Sequence, residues 1–186
     1  MKKFQAIVSF VLVILMLSKV SGDSYAFEQA SGSSATLNPT ITQKPVDNRT
    51  EILEGFLESY GSPLAPYAAD FVESADKYSL DWRLVASIAG LESTFGKNIP
   101  YNSYNGWGWG VYGNNVIRFA SWSEGIETIS KGLRQNYLGE NPDSNPYLIG
   151  HRYAASPTWA QRVTFFMNRI EAYRLRNGKS TLALAL

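Results

Sequence analysis

A single stretch, YNSYNGWGWGVYGNNVIRF from Tyr101 to Phe119, interrupts a chain that otherwise repeats its apolar residues at three- and four-residue spacing. That spacing is the period of a helix with one buried face, so the chain must fold as packed helices around one aromatic-rich insert. Ile52, Leu53, Phe56, Leu57 and Tyr60 mark the first helix, which Gly61-Ser62-Pro63 ends. A second begins near Pro66, with Ala69, Val72 and Ala75 expected inward. Asp81 is placed to cap a third helix that carries Trp82, Val85, Ile88, Ala89 and Leu91 and stops at Gly96. Ser121 and Glu124 have capping-box spacing ahead of Ile126, Ile129 and Leu133. Ser156-Pro157 opens the last helix, with Val163, Phe166, Ile170 and Tyr173 on one side. Within the insert, Asn105-Gly106 and Gly113-Asn114 are turn signals around short alternating runs, which predicts a small β-hairpin. Its alternation would place Trp107, Trp109 and Val111 on one face and bare Gly106, Gly108 and Gly110 on the other.

The periodic part, residues 49–177, is long enough for one hydrophobic core. Ahead of it, Lys2 and Lys3 precede an apolar run from Ala6 to Leu17 broken only by Ser9, and small residues follow at Ser21, Gly22, Ser24 and Ala26. Charged, apolar and small residues in that order predict a secretory signal over residues 1–26, cleaved after Gly22 or Ala26. The apolar run falls short of the ~20 residues of a membrane-spanning helix, so no stable insertion is expected after cleavage, with an uncleaved anchor as the alternative. Residues 27–48 turn to Ser, Thr, Gly, Asn, Pro and Gln and read as a flexible linker, and residues 178–186 as a C-terminal tail. An exported chain without cysteine points to the exterior or cell wall of a bacterium, where a domain of this size can rely on its core alone.

Charge and composition exclude several classes of function. Lys plus Arg is 17 against 16 for Asp plus Glu, a formal net charge of +1, which gives no case for a nucleic-acid partner. Zero cysteines rule out disulfides, thiolate metal sites and a cysteine nucleophile, and a single histidine, His151, argues against His-based metal binding or a Ser-His-Asp triad. No metal and no cofactor is expected, and the chain reads as a monomer.

Chemistry is expected at Glu92. At about 100° per residue, Val85, Ile88 and Glu92 fall within about 60° of one another, which puts a carboxyl on the apolar face of the third helix. Partial burial there, one turn before the helix ends, favours the protonated form and suits a general acid. A Glu reaching solvent or closing the helix end is the competing reading.

The segment LVASIAGLESTFGKN followed by YNSYNGWGWGVYG resembles the Glu-Ser-x-x-Gly signature and the following Asn-aromatic-Gly hairpin of bacterial cell-wall glycosidases with the lysozyme-like fold. It is most similar to the endo-β-N-acetylglucosaminidases of glycoside hydrolase family 73, with the lytic transglycosylases as near relatives. IRFASWSEGIETISKGLRQNYL and RYAASPTWAQRVTFFMNRI resemble the second half of that family in order and spacing. This implies a mainly α, lysozyme-like domain with a small hairpin beside its cleft. It also implies an enzyme that cuts β-1,4 bonds of peptidoglycan glycan strands, with Glu92 as the acid.

From Ser93 to Ser123 there is no Asp or Glu, so the insert cannot supply the second carboxylate that glycosidases usually set across the scissile bond. Glu124 is explained by its cap and Glu127 as a solvated position. Two chemistries need only one acid: attack by the substrate's own 2-acetamido oxygen, or closure of an anhydro ring as in the lytic transglycosylases. A catalytically silent wall-binding module is a third reading. Tyr153 stands where similar enzymes place a tyrosine beside the catalytic Glu; it orients an intermediate or is a core aromatic with its hydroxyl on backbone. Tyr104, Trp107, Trp109 and Tyr112 are candidates to stack on sugar rings, with Trp107 expected to be buried. Asn105 hydrogen-bonds an N-acetyl group or makes the Asn-Gly turn. Ser93, without a nearby histidine, is not expected to be a nucleophile.

Overall fold

The structure, a computed structural model, describes residues 47–110 and 115–183, with side chains to residue 177. The expected signal peptide, nearly all of the linker, Val111 to Asn114 and residues 184–186 lie outside the described residues. Helix α1 spans Arg49–Glu58, and a 3₁₀ turn, Ala65–Tyr67, leads into α2, Ala68–Lys77. Helix α3 is Leu84–Ser93 and α4 is Trp122–Gly132, which runs on as a π-helical segment, Leu133–Leu138. Helix α5 spans Pro146–Tyr153, and α6, Trp159–Ala183, continues past the end expected at residue 177.

Helix α3 lies at the centre. Leu84 to Gly90 are all buried, so it is apolar nearly all round, and α2, α4 and α6 pack against it. Its start is organised by Asp81, though two positions further out than a helix cap: Oδ1 accepts from Arg83 N at 2.9 Å, and Arg83 Nη2 reaches Oδ2 at 2.6 Å. Burial pulls the Asp81 carboxyl upward, and the Arg83 hydrogen bonds outweigh it and hold it below its ordinary value. The expected capping box opens α4: Ser121 Oγ accepts from Glu124 N at 3.1 Å, while the Glu124 carboxylate reaches back to Ala120 N at 2.5 Å.

Two residues depart from their expected positions. Ala69 is exposed, because Ala68 and Phe71 take the inward positions of α2. Glu127 is not merely solvated. It accepts from Ser74 Oγ at 3.1 Å, Lys77 Nζ at 2.5 Å and Tyr78 OH at 2.5 Å, pinning α4 to the end of α2.

Residues 101–110 form a compact loop, Asn115 sits in an isolated β-bridge, and the turn of the expected hairpin, Gly113-Asn114, lies outside the described residues. Asn102, Tyr104, Gly108 and Gly110 have φ of 52°, 47°, 64° and 61°, which no pleated strand accommodates, and the described residues contain no extended strand. Neighbouring Gly106 and Trp107 are both buried, so alternation fails as well. What shapes the loop is Asn105: Nδ2 donates to Trp109 O at 2.8 Å and Ile117 O at 3.0 Å, and Oδ1 accepts from Trp109 N at 3.1 Å. A side-chain amide thus closes a turn that a β-ladder would otherwise close.

Trp107 carries this loop into the core. It is 1% exposed, its Nε1 donates to Val85 O of α3 at 3.0 Å, and its ring meets Phe71, Phe119 and Trp122 at centroid distances of 6.2 to 6.4 Å. Gly125 of α4 is its seat, since a Cβ there would lie 2.7 Å from the indole. Trp107→Ala therefore leaves a large cavity and removes the indole hydrogen bond to Val85 O, and is expected to lower unfolding free energy by about 3–5 kcal/mol in urea denaturation. A loss below about 1 kcal/mol would show that the loop is not anchored through this ring.

Candidate active site

The site is built at the C-terminal end of α3, where Glu92, Ser93 and Gly96 have separable tasks. The helix ends in the left-handed region at Thr94 (φ 52°) and Phe95 (φ 58°), followed by Gly96 (φ 80°). Two non-glycine residues in that region carry a backbone cost, and Phe95 offsets it by burying its ring against Phe56, Tyr60 and Phe166. Ser93 Oγ donates to Gly106 O at 2.7 Å and accepts from Gly96 N at 2.9 Å, which ties the helix end to the loop. It is buried and fully engaged, a clamp rather than a nucleophile.

Glu92 differs from the buried carboxyl expected from its helical angle: its side chain is exposed. The third helix is buried on every side up to Gly90, but the chain turns away after Ser93, so the last turn opens to solvent. Oε1 accepts a hydrogen bond from Trp159 Nε1 at 2.9 Å, which fixes the orientation of the carboxyl. Across from it is Gly108, where a Cβ would stand 3.8 Å from Oε2. Bare backbone with φ of 64° thus faces the carboxyl, as the glycine pattern had implied for one side of the loop.

An aromatic wall borders this carboxyl. Trp109, Tyr137, Tyr153 and Trp159 stand in sequence with centroid separations of 6.1, 5.6 and 4.7 Å. Tyr153 OH donates to Trp107 O at 2.9 Å, so α5 grips the loop one residue before Gly108. Burial first, then the Glu92 charge and Tyr137, push the Tyr153 phenol well above its ordinary value, so it remains a neutral donor. Trp109 is half-buried and rests on Gly132, where a Cβ would come within 2.7 Å of its ring. Tyr137 belongs to the π-helical segment, a local irregularity often found where a helix is shaped around a site.

Of the residues predicted from sequence, the structure gathers Glu92, Tyr153, Trp107 and Trp109 in one place. Trp107 sits beneath the site, not on its surface. Asn105 is buried, and its amide is engaged with loop backbone. Tyr104, 37% exposed, packs its ring on Trp122 at 5.5 Å instead of joining the aromatic wall. Tyr112 lies outside the described residues. Sequence reasoning missed Trp159 and Tyr137. The signal for Trp159 was the need of a buried indole N–H for an acceptor, with Glu92 the carboxyl within reach. Among the described residues no group of three His, Cys, Asp or Glu converges as a metal site, and no helix is long and apolar enough to cross a membrane.

No family model and no curated protein matches the sequence. Among solved structures, the fold is similar to that of Staphylococcus aureus autolysin E, seen as a catalytic glutamate-to-alanine mutant in complex with the disaccharide NAG-NAM. The TM-score is 0.52 at 17% identity, and the match covers 69% of this chain and 68% of that one. The chain is thus a mainly helical, lysozyme-like domain.

The raised Tyr153 phenol makes stability depend on pH. Below the ordinary value of 10.0 both folded and unfolded chains hold this proton; above it the unfolded chain releases a proton that the folded chain keeps, so stability falls as pH rises. Tyr153→Phe should show a shallower loss of stability than the wild type between about pH 9.5 and 11 in denaturation series. Parallel curves would place the Tyr153 hydroxyl in contact with solvent.

Proposed function

We propose that the protein is a secreted or wall-associated peptidoglycan hydrolase that cleaves β-1,4 glycosidic bonds of the GlcNAc-MurNAc strand, with Glu92 as general acid. The observation that carries this reading is the exposed Glu92 carboxyl, oriented by Trp159 and facing the side-chain-free backbone of Gly108. A carboxyl in that setting can meet a glycosidic oxygen without a side chain blocking the approach of the sugar. The fold shared with autolysin E, crystallised with NAG-NAM, supports the same substrate class.

Trp109 offers the apolar face on which a sugar ring stacks, and Tyr104 a second one at the far side of the loop. Asn105 contributes by holding the loop in shape. Tyr153 acts as a positioning residue, because its hydroxyl fixes the Trp107 carbonyl and with it the backbone opposite Glu92. The hydrolytic form of the reaction is that of an endo-β-N-acetylglucosaminidase.

The other acids noted from sequence are committed elsewhere, Glu124 to the α4 cap and Glu127 to Ser74, Lys77 and Tyr78, and Asp143 accepts from Asn145 N. This favours mechanisms with one protein carboxyl. In the first, Glu92 protonates the leaving oxygen while the 2-acetamido oxygen of the substrate attacks the anomeric carbon. In the second, a MurNAc hydroxyl closes an anhydro ring, the lytic transglycosylase outcome. Mass spectrometry of sugar ends released from purified walls separates them: reducing GlcNAc supports the first and anhydro-MurNAc the second.

Glu92→Gln keeps the acceptor for Trp159 Nε1 but has no proton to give. It should lower turnover by at least about 10²-fold. Because the side chain is exposed, stability should stay within about 0.5 kcal/mol of wild type. Retention of more than about a tenth of the activity would remove Glu92 from the mechanism. Wall binding by both proteins with turnover by neither would mark a recognition module.

A further inference from the structure

We propose that the outer face of α6 beside Glu92 is a subsite for the carboxylates of the peptide that peptidoglycan carries on its MurNAc units, with Arg162 as the residue that binds them. This deepens the proposed function and rests on that reading of the substrate.

The placement follows from how α6 crosses the end of α3. Trp159 Nε1 is bonded to Glu92 at 2.9 Å, and seven residues later Phe166 packs on Phe95 at 5.3 Å and against Gly90, where a Cβ would lie 3.3 Å from its ring. Arg162 lies between these two anchors, about 4.5 Å along the helix from Trp159. It is exposed, and together with Gln161, Phe165 and Phe166 it lines an open pocket of about 480 Å³.

Charge identifies the occupant. Arg49, Arg83 and Arg174 are each paired with a carboxylate, whereas the Arg162 guanidinium makes no ion pair or hydrogen bond among the described residues. Arg169, two turns further along, lies over the rings of Phe165 and Tyr60, each at 5.7 Å, and makes no ion pair among the described residues. No acidic residue lines the pocket. A guanidinium left free beside a reacting centre matches a carboxylate, which it can bind through two parallel N–H bonds. On a peptide-bearing strand the lactyl carboxyl of each MurNAc is tied up as an amide, so the free carboxylates are those of the peptide substituent. Phe165, 54% exposed, supplies an apolar surface for the small side chains of that peptide.

The test compares full-length wild type, Arg162→Met and Arg162→Lys on peptide-bearing strands and on the same strands stripped of peptide by an amidase, with the freed lactyl carboxylates blocked as methylamides. Arg162→Met should raise KM on peptide-bearing strands about tenfold at unchanged kcat, and stay within about twofold of wild type on stripped strands. Arg162→Lys should recover part of the loss. An equal loss on both substrates, or none on either, would overturn the subsite. Binding of a soluble GlcNAc-MurNAc-peptide fragment, followed by calorimetry in a Glu92→Gln background with and without Arg162→Met, separates the two claims. Turnover that ignores Arg162 removes the subsite and leaves the hydrolase. Arg162-dependent binding by a wild type that cuts neither substrate removes the hydrolase and leaves the subsite.

Discussion

The architecture depends on the burial of Trp107. This indole hydrogen-bonds α3 through Val85 O, lies on Gly125 of α4, packs on Phe71 of α2, and through its own backbone carbonyl receives Tyr153 of α5. One residue thereby ties four helices to a loop that has no extended strand among the described residues. A loop with left-handed residues at Asn102, Tyr104, Gly108 and Gly110 would be a poor scaffold if left free in solvent. Anchored at Trp107 and tied internally by Asn105, it can hold the backbone of Gly108 beside Glu92.

The same division of labour runs through the end of α3. Ser93 and Gly96 are structural: one clamps the helix to Gly106, and the other turns the chain where a Cβ would come within 3.0 Å of Trp122 and 3.2 Å of Leu64. Phe95 folds back over Gly90 and buries what the left-handed turn would otherwise expose. These arrangements stop the helix abruptly, so Glu92 emerges at the surface of a helix whose preceding turns are buried. An exposed carboxyl held by an indole N–H is accessible to substrate yet fixed in orientation.

Much of this was legible in the sequence, for physical reasons. Three-to-four spacing located the helices because burial of one face repeats with the helical turn, and the capping box at Ser121 and Glu124 reads directly as hydrogen bonding to free backbone donors. The burial of Trp107 was also readable, while the placement of Tyr153 beside Glu92 was what the family resemblance implied. The shape of residues 101–110 was not readable: Asn-Gly and glycine alternation fit a two-residue β-turn and a loop stapled by a buried amide equally well, and only tertiary contacts with Trp107 decide. Helical angle put Glu92 among buried positions, whereas its side chain is exposed, because angle alone cannot show that the chain turns away after Ser93. Trp159 and Tyr137 lie 67 and 45 positions from Glu92, and their meeting with the site is a property of α6 and the π-helical segment that no local pattern encodes.

The central claim is that a glycan binds along Glu92, Trp159 and Trp109 while Trp107 stays beneath them as scaffold. The chain has five tryptophans, at positions 82, 107, 109, 122 and 159, so their indole N–H signals can be followed individually by NMR. Titrating Glu92→Gln with a GlcNAc-MurNAc oligosaccharide should shift the Trp159 and Trp109 signals in a saturable manner and leave Trp107 unmoved. Saturable shifts confined to Trp82 and Trp122, with Trp159 and Trp109 unchanged, would place the glycan elsewhere and contradict the account.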